Sequence, residues 1–197
     1  MIIAILGKSC SGKDTIVQKL AEEYQNDSRV SIAKSYTTRP KRVDEEDGKE
    51  YHFVTDDGYK KMLYEEKNLV VNTVFFVGEN VLRYGITKEE LQKSDINIVI
   101  LNPYSIGQLK RNFSEKEIFT ILLEVPKTKR ILRYFKRDTF NLKNIKNCFR
   151  RVKADDRDFK KLNVDYTLEN KEVNNTVNYI KDIINVELGI IESTKCR

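Results

Sequence analysis

The stretch MIIAILGKSCSGKDTIVQKLAEE, residues 1–23, decides the fold class. Residues 2–6 form a continuous apolar run that ends at a glycine, which predicts a strand buried on both faces. Apolar residues then recur at helical spacing (Ile16, Val17 and Leu20) with charged residues between them, which predicts a helix. A strand that passes through a short loop into a helix is the beginning of an α/β unit.

The loop between this strand and this helix fits G-x-x-x-x-G-K. Glycines let backbone N–H groups converge on phosphate oxygens, the helix N-terminus adds positive potential, and the lysine reaches the β- and γ-phosphates. Asp14 follows Lys13 where a Ser or Thr usually contacts Mg²⁺, so we expect Thr15 to hold the metal, with Asp14 either facing Mg²⁺ or capping the helix. The predicted nucleotide-binding residues are Gly7, Lys8, Ser9, Cys10, Ser11, Gly12, Lys13, Asp14 and Thr15.

The segment SYTTRPKRVDEEDGKEYHF, residues 35–53, predicts a second phosphate site. Guanidinium groups bind a phosphate dianion in a bidentate manner, and hydroxyl groups add short hydrogen bonds. Ser35, Arg39, Arg42 and Tyr51 supply both kinds of group. A charged, solvated loop is the alternative for such a segment alone, but the phosphate loop ahead of it favours phosphate binding.

The same segment meets every fixed position of S-x-T-T-R-x-x-R-x-x-E-x-D-G-x-x-Y-x-F, and in this it resembles the guanylate kinase family. The resemblance implies transfer of the γ-phosphate of ATP, with Mg²⁺, to GMP or dGMP. It also implies that the acceptor phosphate is held by Ser35, Arg39, Arg42 and Tyr51. In the same resemblance, Glu45 orients the two arginines and Tyr84 adds a hydroxyl. Lys13 and Arg39 are then catalytic.

Positive charge is concentrated in residues 127–161, which hold 14 Lys and Arg against four Asp. Arg133 and Arg137 share a face of a predicted helix, and Arg150 and Arg151 lie on the next one. Phosphoryl transfer mainly needs positioning and charge neutralisation, so we predict that these four catalytic arginines lie in or beside a lid. Binding of RNA or DNA is the alternative; the absence of interleaved aromatic residues makes nucleic acid an unlikely partner.

The predicted base pocket departs from the family pattern. Asn72 aligns with a guanine-binding glutamate, Ile86 follows Tyr84 where the family has Ser or Thr, and the segment that ends at Tyr104 lies where it has Asp. An amide offers one neutral carbonyl acceptor, so we expect weaker discrimination of guanine from adenine than a carboxylate gives, with Thr87 replacing the lost hydroxyl.

Composition adds broad limits. The chain has 197 residues and a formal net charge of +6, which suits a nucleotide or another polyanion. Three cysteines and the single His52 have no metal-ligand spacing and are expected to be structural or incidental. With no basic segment before the apolar opening and no long apolar run, we expect a cytoplasmic protein without a membrane partner, as a monomer or weak dimer.

Together these features predict an α/β, P-loop NTPase fold with a five-stranded, mostly parallel core sheet and helices on both faces. We expect one domain with core 1–33, 87–129 and 151–187, an NMP-binding insert 34–86, a lid 130–150 and a frayed tail 188–197. Further strands are predicted at 30–33, 69–77, 97–101 and 117–125, and a hairpin turn at 77–80. Helices are predicted at 56–66, 87–93, 104–112, 127–137, 144–160 and 172–187.

Three alternatives to a (d)GMP kinase stay open. One is a kinase of broader (d)NMP specificity. Another is a catalytically silent interaction module of the same family, against which the intact Lys13, Arg39 and Arg137 argue. The last is a P-loop hydrolase that acts on nucleic acid or a partner protein, which requires a water-positioning residue.

Overall fold

The computed structural model describes residues 1–43, 45–77, 79–137 and 142–189. The strands are β1 (Ile2–Gly7), β2 (Val30–Ile32), β3 (Tyr36–Thr37), β4 (His52–Phe53), β5 (Leu69–Val77), β6 (Asn80–Thr87), β7 (Ile96–Ile100), β8 (Ile118–Glu124) and β9 (Tyr166–Glu169). The helices are α1 (Lys13–Glu23), α2 (Asp56–Lys60), α3 (Pro103–Asn112), α4 (Lys127–Arg137), α5 (Leu142–Asp158) and α6 (Val173–Glu187).

A five-stranded sheet in the order β2-β7-β1-β8-β9 confirms the predicted α/β fold. β2 pairs in parallel with β7, with Val30 opposite Ile96, and β8 pairs in parallel with β9, with Ile121 opposite Tyr166. Every residue of β1 is buried, as its continuous apolar run predicts. The phosphate loop therefore begins at the end of a strand whose apolar side chains hold it firmly in the sheet.

The strand at 69–77 forms, but it lies outside the parallel sheet. It is β5 of a four-stranded sheet in the order β4-β3-β6-β5, and it runs antiparallel to β6. The fifth strand of the parallel sheet is β9, which the sequence did not predict. It has four residues and only Leu168 is not exposed, so it carries too few buried apolar residues to give a strand pattern.

Helix prediction was wrong at 87–93, where β6 continues to Thr87 and a single 3₁₀ turn follows at Glu90–Gln92. Leu91 is the only fully buried apolar residue of that turn, so no apolar face extends it into a helix. The helix predicted at 56–66 is α2 followed by a π-helical turn, Lys61–Glu65. The other predicted helices form, with ends displaced by two residues or fewer.

The chain divides into two compact units, which we describe separately. The unit that carries the predicted acceptor-phosphate segment, here called the acceptor unit, contains Met1–Ala4 and Asp27–Phe119. The unit that carries the predicted phosphate loop, here called the donor unit, contains Ile5–Asn26 and Thr120–Arg197. The predicted hairpin turn joins β5 to β6, whose last pair is Val77 with Asn80, and Gly78 lies outside the described residues. Within the described ranges, no helix is long and apolar enough to cross a membrane.

Candidate active site

Two glycines give the phosphate loop of the donor unit its shape. A Cβ atom on Gly7 would lie 2.4 Å from Ser11 Oγ and 3.0 Å from the carbonyl oxygen of Leu123. Gly12 has a φ of 91°, and a Cβ atom there would lie 2.7 Å from Asn170 Nδ2. Close packing requires both glycines, and the left-handed backbone at Gly12 turns the chain directly into α1.

Lys13 folds back over the loop that precedes it. Its Nζ donates to the carbonyl oxygens of Gly7, at 2.7 Å, and Lys8, at 3.3 Å. Burial lowers the pKa of Lys13 below its ordinary value, and the nearby carboxylates of Asp14 and Asp155 oppose that shift. The ammonium group thus lies at the loop, where a phosphate group would bind.

Two carboxylates of α5 hold the first half of the loop. Asp155 accepts hydrogen bonds from the backbone N–H of Ser9, at 2.8 Å, and from its Oγ, at 3.2 Å. Asp156 accepts from Lys8 Nζ at 2.9 Å and from Lys127 Nζ at 3.1 Å, and these bonds lower the pKa of Asp156. Both carboxylates lie within a basic segment far from the motif, so no local sequence pattern predicted their contact with the loop.

Two arginines of α4 lie against the same loop. Arg133 NH1 donates to the carbonyl oxygen of Cys10 at 3.3 Å. Arg130, which the sequence analysis missed, is 3% exposed and forms an ion pair with Asp155 at 3.2 Å. The signal that could have found it is its position three residues before Arg133, on the same face of the helix.

The remaining predicted lid arginines are not brought to the loop by any described contact. Arg150 and Arg151 are exposed on α5. The side chain of Arg137 lies outside the described residues, as do residues 138–141 of the predicted lid.

Cys10 packs at the edge of a buried cluster of Tyr134, Cys148 and Val152, which is the structural role expected for these cysteines.

Asn170 also contacts the phosphate loop, and no sequence motif predicts this contact. It is 3% exposed, and its Nδ2 donates to the carbonyl oxygen of Ser11 at 2.8 Å. Its Oδ1 accepts from Thr176 Oγ1 at 3.1 Å, and its backbone N–H donates to the carbonyl oxygen of Glu124 at 2.8 Å. Asn170 therefore connects the loop to β8 and α6, over a sequence separation that local patterns do not reach.

Arg39, in the acceptor unit, is paired with a carboxylate and packed against two aromatic rings. Its NH2 group lies 2.8 Å from Glu45 Oε1, and its guanidinium carbon lies 5.3 Å from the centre of the Tyr51 ring and 5.6 Å from that of Phe53. Glu45 also accepts from the backbone N–H of Arg42 at 2.8 Å. Burial alone would raise the pKa of Glu45, but these hydrogen bonds lower it, so the carboxylate stays charged beside Arg39.

Tyr84 joins this cluster from β6. Its ring lies edge-on to Tyr51, with centroids 6.0 Å apart, and to Phe75, with centroids 5.5 Å apart. The carbonyl oxygen of Ser35 accepts from the backbone N–H of His52 at 3.0 Å, which places Ser35 beside β4. Arg39, Tyr51 and Tyr84 thus come together from three separate strands or loops to form an aromatic and cationic cluster.

Asn72 does not share the face of the hairpin on which Tyr84 lies. Thr73 pairs with Tyr84 and Asn72 pairs with Gly85, and neighbouring strand residues point to opposite faces. Asn72 Oδ1 accepts from Tyr59 Oη at 2.9 Å, whereas Thr73 Oγ1 lies 3.2 Å from Ser105 Oγ. The motif alignment missed this because a shift of one residue moves a strand side chain to the other face.

Thr87 was predicted to replace a lost hydroxyl of the base pocket, and Ile86 and Tyr104 were the positions that depart from the family pattern. Thr87 is buried, and its Oγ1 accepts from the backbone N–H of Glu90 at 3.3 Å, so its hydroxyl serves the 3₁₀ turn. Ile86 is buried as well, and Tyr104 is exposed on α3.

The described residues contain no group of three His, Cys, Asp or Glu that could hold a metal ion. The two residues that follow Lys13, Asp14 and Thr15, carry side-chain oxygen atoms and are exposed in the first turn of α1. Mg²⁺ prefers such oxygen ligands, and it commonly takes one or two from protein and the rest from phosphate and water. Asp14 and Thr15 therefore fit a Mg²⁺ ion that is shared with a nucleotide.

A family model described as guanylate kinase matches residues 1–187. The chain is 30% identical over 188 residues to the guanylate kinase of Wigglesworthia glossinidia brevipalpis, covering 93% of this chain and 86% of that one. It is 27% identical to the guanylate kinase of Mycoplasma genitalium, covering 93% and 74%. A crystal structure of guanylate kinase from Anaplasma phagocytophilum has the same fold, with a TM-score of 0.64 and 19% identity over 100% of this chain and 88% of that one.

Proposed function

The chain belongs to the guanylate kinase family, and from this premise we propose that it transfers the γ-phosphate of ATP to GMP or dGMP, giving ADP and GDP or dGDP. The observation that carries the proposal is Arg39, whose guanidinium group is held by Glu45 and stacked against two aromatic rings. A guanidinium fixed in this way is ready to bind a phosphate dianion with little loss of side-chain entropy.

The donor unit binds ATP in this proposal. Backbone N–H groups of residues 7–15 surround the β-phosphate, and Lys13 moves from its carbonyl partners to the β- and γ-phosphates. Arg130 and Arg133 add positive potential beside the loop. Thr15, with Asp14, contributes oxygen ligands to Mg²⁺, which neutralises phosphate charge when it is bound. Arg137, Arg150 and Arg151 remain predicted lid residues.

The acceptor unit binds the monophosphate. Ser35, Arg39, Arg42, Tyr51 and Tyr84 contact its phosphate group, and Glu45 holds the two arginines. A phosphate dianion is already a competent nucleophile, so the transfer needs in-line placement and charge neutralisation rather than a general base. We also propose that the segment 34–86 is the NMP-binding insert and 130–150 the lid of a single domain.

The direct test is release of ADP from ATP in the presence of Mg²⁺ with each of GMP, dGMP, AMP, dAMP, CMP and UMP. We expect GMP or dGMP to give the highest kcat/KM. If none of the six raises ADP release above the rate with ATP alone, the proposed reaction is refuted, and the catalytically silent module becomes the better hypothesis.

One observation favours a second candidate, a purine nucleoside monophosphate kinase of broader specificity. On the Tyr84 face of the hairpin, the side chains that pair with Tyr84 or flank it carry no carboxylate; they are Val71, Thr73, Phe75, Leu82 and Ile86. A hydroxyl can donate or accept a hydrogen bond, so it does not reject adenine as a carboxylate does. A kcat/KM ratio of GMP to AMP below about 10 would favour this candidate, because one neutral hydrogen bond is worth about tenfold.

The remaining parts of the proposal rest on composition. We propose a cytoplasmic protein, a monomer or weak dimer, whose partners are nucleotides rather than membranes or nucleic acid. Weak binding of RNA that disappears at moderate salt would fit this view, because non-specific contacts with phosphates are strongly screened.

A further inference from the structure

A buried carboxylate lies in the turn after β6, outside the residues assigned so far to binding or transfer. Glu90 is 4% exposed and receives three hydrogen bonds. Its Oε2 accepts from the backbone N–H of Lys34 at 2.8 Å, and its Oε1 lies 3.2 Å from His52 Nε2 and also accepts from Lys93 Nζ. A buried carboxylate is costly unless it is paired in this way, so the arrangement is specific.

Two of these three donors adjoin the acceptor-phosphate residues. Lys34 directly precedes Ser35, and His52 directly follows Tyr51. The two ends of this segment are also joined by the hydrogen bond from the backbone N–H of His52 to the carbonyl oxygen of Ser35, at 3.0 Å. The Tyr36 ring packs against the His52 ring with centroids 4.6 Å apart. Glu90 therefore holds both ends of the loop that carries Arg39 and Arg42.

We propose that Glu90 is a positioning residue for the acceptor phosphate, acting through Lys34 and His52 on Ser35 and Tyr51. The inference rests on the proposed function, because it assumes that these residues bind a nucleoside monophosphate. A phosphate site is sensitive to displacements of about 1 Å, and a carboxylate that fixes both ends of a loop limits such displacements.

Lys93, the third hydrogen-bond donor to Glu90, makes it possible to distinguish positioning of the acceptor segment by Glu90 from simple neutralisation of the Glu90 charge. Lys93 lies on the turn itself, its side chain is about half exposed, and it touches Glu90 without joining the acceptor segment. Burial alone would raise the pKa of Glu90, but the bonds from Lys34, Lys93 and His52 lower it, so the carboxylate is charged at neutral pH. Removing Lys93 should weaken this charge pairing while leaving both contacts to the acceptor segment in place.

The test compares Glu90→Ala, Glu90→Gln, His52→Phe and Lys93→Ala with Glu89→Ala, whose side chain is exposed next to Glu90. We expect Glu90→Ala to raise KM for GMP about tenfold, because hydrogen bonds to a charged group are lost, while KM for ATP changes less than about twofold. Glu90→Gln keeps an acceptor for the Lys34 N–H and should raise it only about threefold. His52→Phe keeps a ring against Tyr36 and should be intermediate.

The proposal is overturned if the Glu90 variants have the KM for GMP of Glu89→Ala, or if Lys93→Ala matches Glu90→Ala. It is also overturned if KM for GMP and ATP rise equally together with a lower unfolding midpoint, since that result indicates general destabilisation. Calorimetric titration with GMP alone provides a readout that does not need catalysis. A wild-type chain that binds GMP without forming ADP refutes the proposed reaction, and the Glu90 comparison is then decided by the dissociation constants. Absence of GMP binding to wild type refutes the Glu90 inference.

Discussion

In the proposed reaction, the donor and acceptor units bind phosphate through different kinds of group. In the donor unit the binding groups belong to one continuous loop, and distant side chains such as Asp155 and Asn170 hold that loop in shape. In the acceptor unit the binding groups are side chains, chiefly that of Arg39, and near neighbours such as Glu45 and Tyr51 hold them in place. The donor site is thus a backbone loop held by distant residues, whereas the charged side chains of the acceptor site make most of their direct contacts within their own segment.

This difference determines which substitutions should damage each site. A site made of backbone N–H groups is disturbed by changes in loop shape, and Lys13 is the side chain of this loop that we propose to contact the transferred phosphate. A site made of guanidinium groups is disturbed by changes in side-chain chemistry, even where charge is kept. Separate measurement of KM for ATP and for GMP can therefore assign each variant to one unit.

The largest effect is expected at Lys13, the side chain that we propose to reach the β- and γ-phosphates. Lys13→Ala should lower kcat by about 10²- to 10³-fold, because it removes a cation aimed at the charge that develops during transfer. The decrease in kcat is measured by steady-state ADP release. The control variant Lys19→Ala, on the same helix, should have a kcat near that of the wild type. Unchanged turnover in Lys13→Ala would mean that the loop does not bind the transferred phosphate.

The acceptor unit should distinguish its two arginines by their geometry. Arg39→Lys keeps the charge but loses the bidentate and stacked contacts, so KM for GMP should rise about 10- to 100-fold. Arg42→Lys should have a smaller effect, since the Arg42 side chain is 58% exposed and that of Arg39 is 13% exposed. Equal losses in the two variants would mean that the ordered geometry of Arg39 has no special role.

A remote support of the donor loop provides the third comparison. Asn170→Ala should lower the free energy of unfolding by about 1–3 kcal/mol, because buried partners lose their hydrogen bonds. KM for ATP should rise several-fold, to about tenfold, while KM for GMP stays constant. Asn175→Ala, on exposed α6 surface, is the matched control for both urea unfolding and kinetics. A rise in KM for GMP alone would contradict the assignment of Asn170 to the donor site.

The smallest effect is expected from substitution of Asn72. This substitution tests whether Asn72 lies on the face of the β5–β6 hairpin opposite to Tyr84. Asn72→Ala should cost about 1 kcal/mol of stability, since Tyr59 loses its partner, yet change the GMP to AMP ratio of kcat/KM less than about twofold. Thr73→Val should change that ratio more, because Thr73 shares the face of Tyr84. A tenfold shift in the GMP to AMP ratio with Asn72→Ala would mean that Asn72 does contact the base.

Local patterns were sufficient where the functional groups are close together in sequence. The phosphate loop was predicted from a glycine-rich motif between a buried apolar strand and an amphipathic helix, and both elements form around it. The residues of the arginine cluster from Ser35 to Phe53 were likewise recognised from their spacing. Arg130 was not predicted because the recognised arginine pair begins at Arg133, three residues later in the chain.

Long-range pairing could not be derived in the same way. The sequence predicted a strand at 69–77 but not its sheet, because its alternation and apolar content suit either sheet. It also placed Asn72 in the base pocket, whereas register with Gly85 turns that side chain toward Tyr59. Face and sheet membership depend on which strand lies alongside, and this information is not local.

The sequence by itself determined the fold class, the phosphate loop with Lys13, and the arginine-rich acceptor segment, because a few neighbouring residues encode each of them. Only the tertiary structure decided which distant residues support these groups. Asp155 and Asn170 reach the donor loop across more than a hundred residues, and Glu90 reaches both ends of the acceptor segment. The physical reason is that a buried polar side chain is positioned by the partners that satisfy its hydrogen bonds, and folding alone brings those partners together.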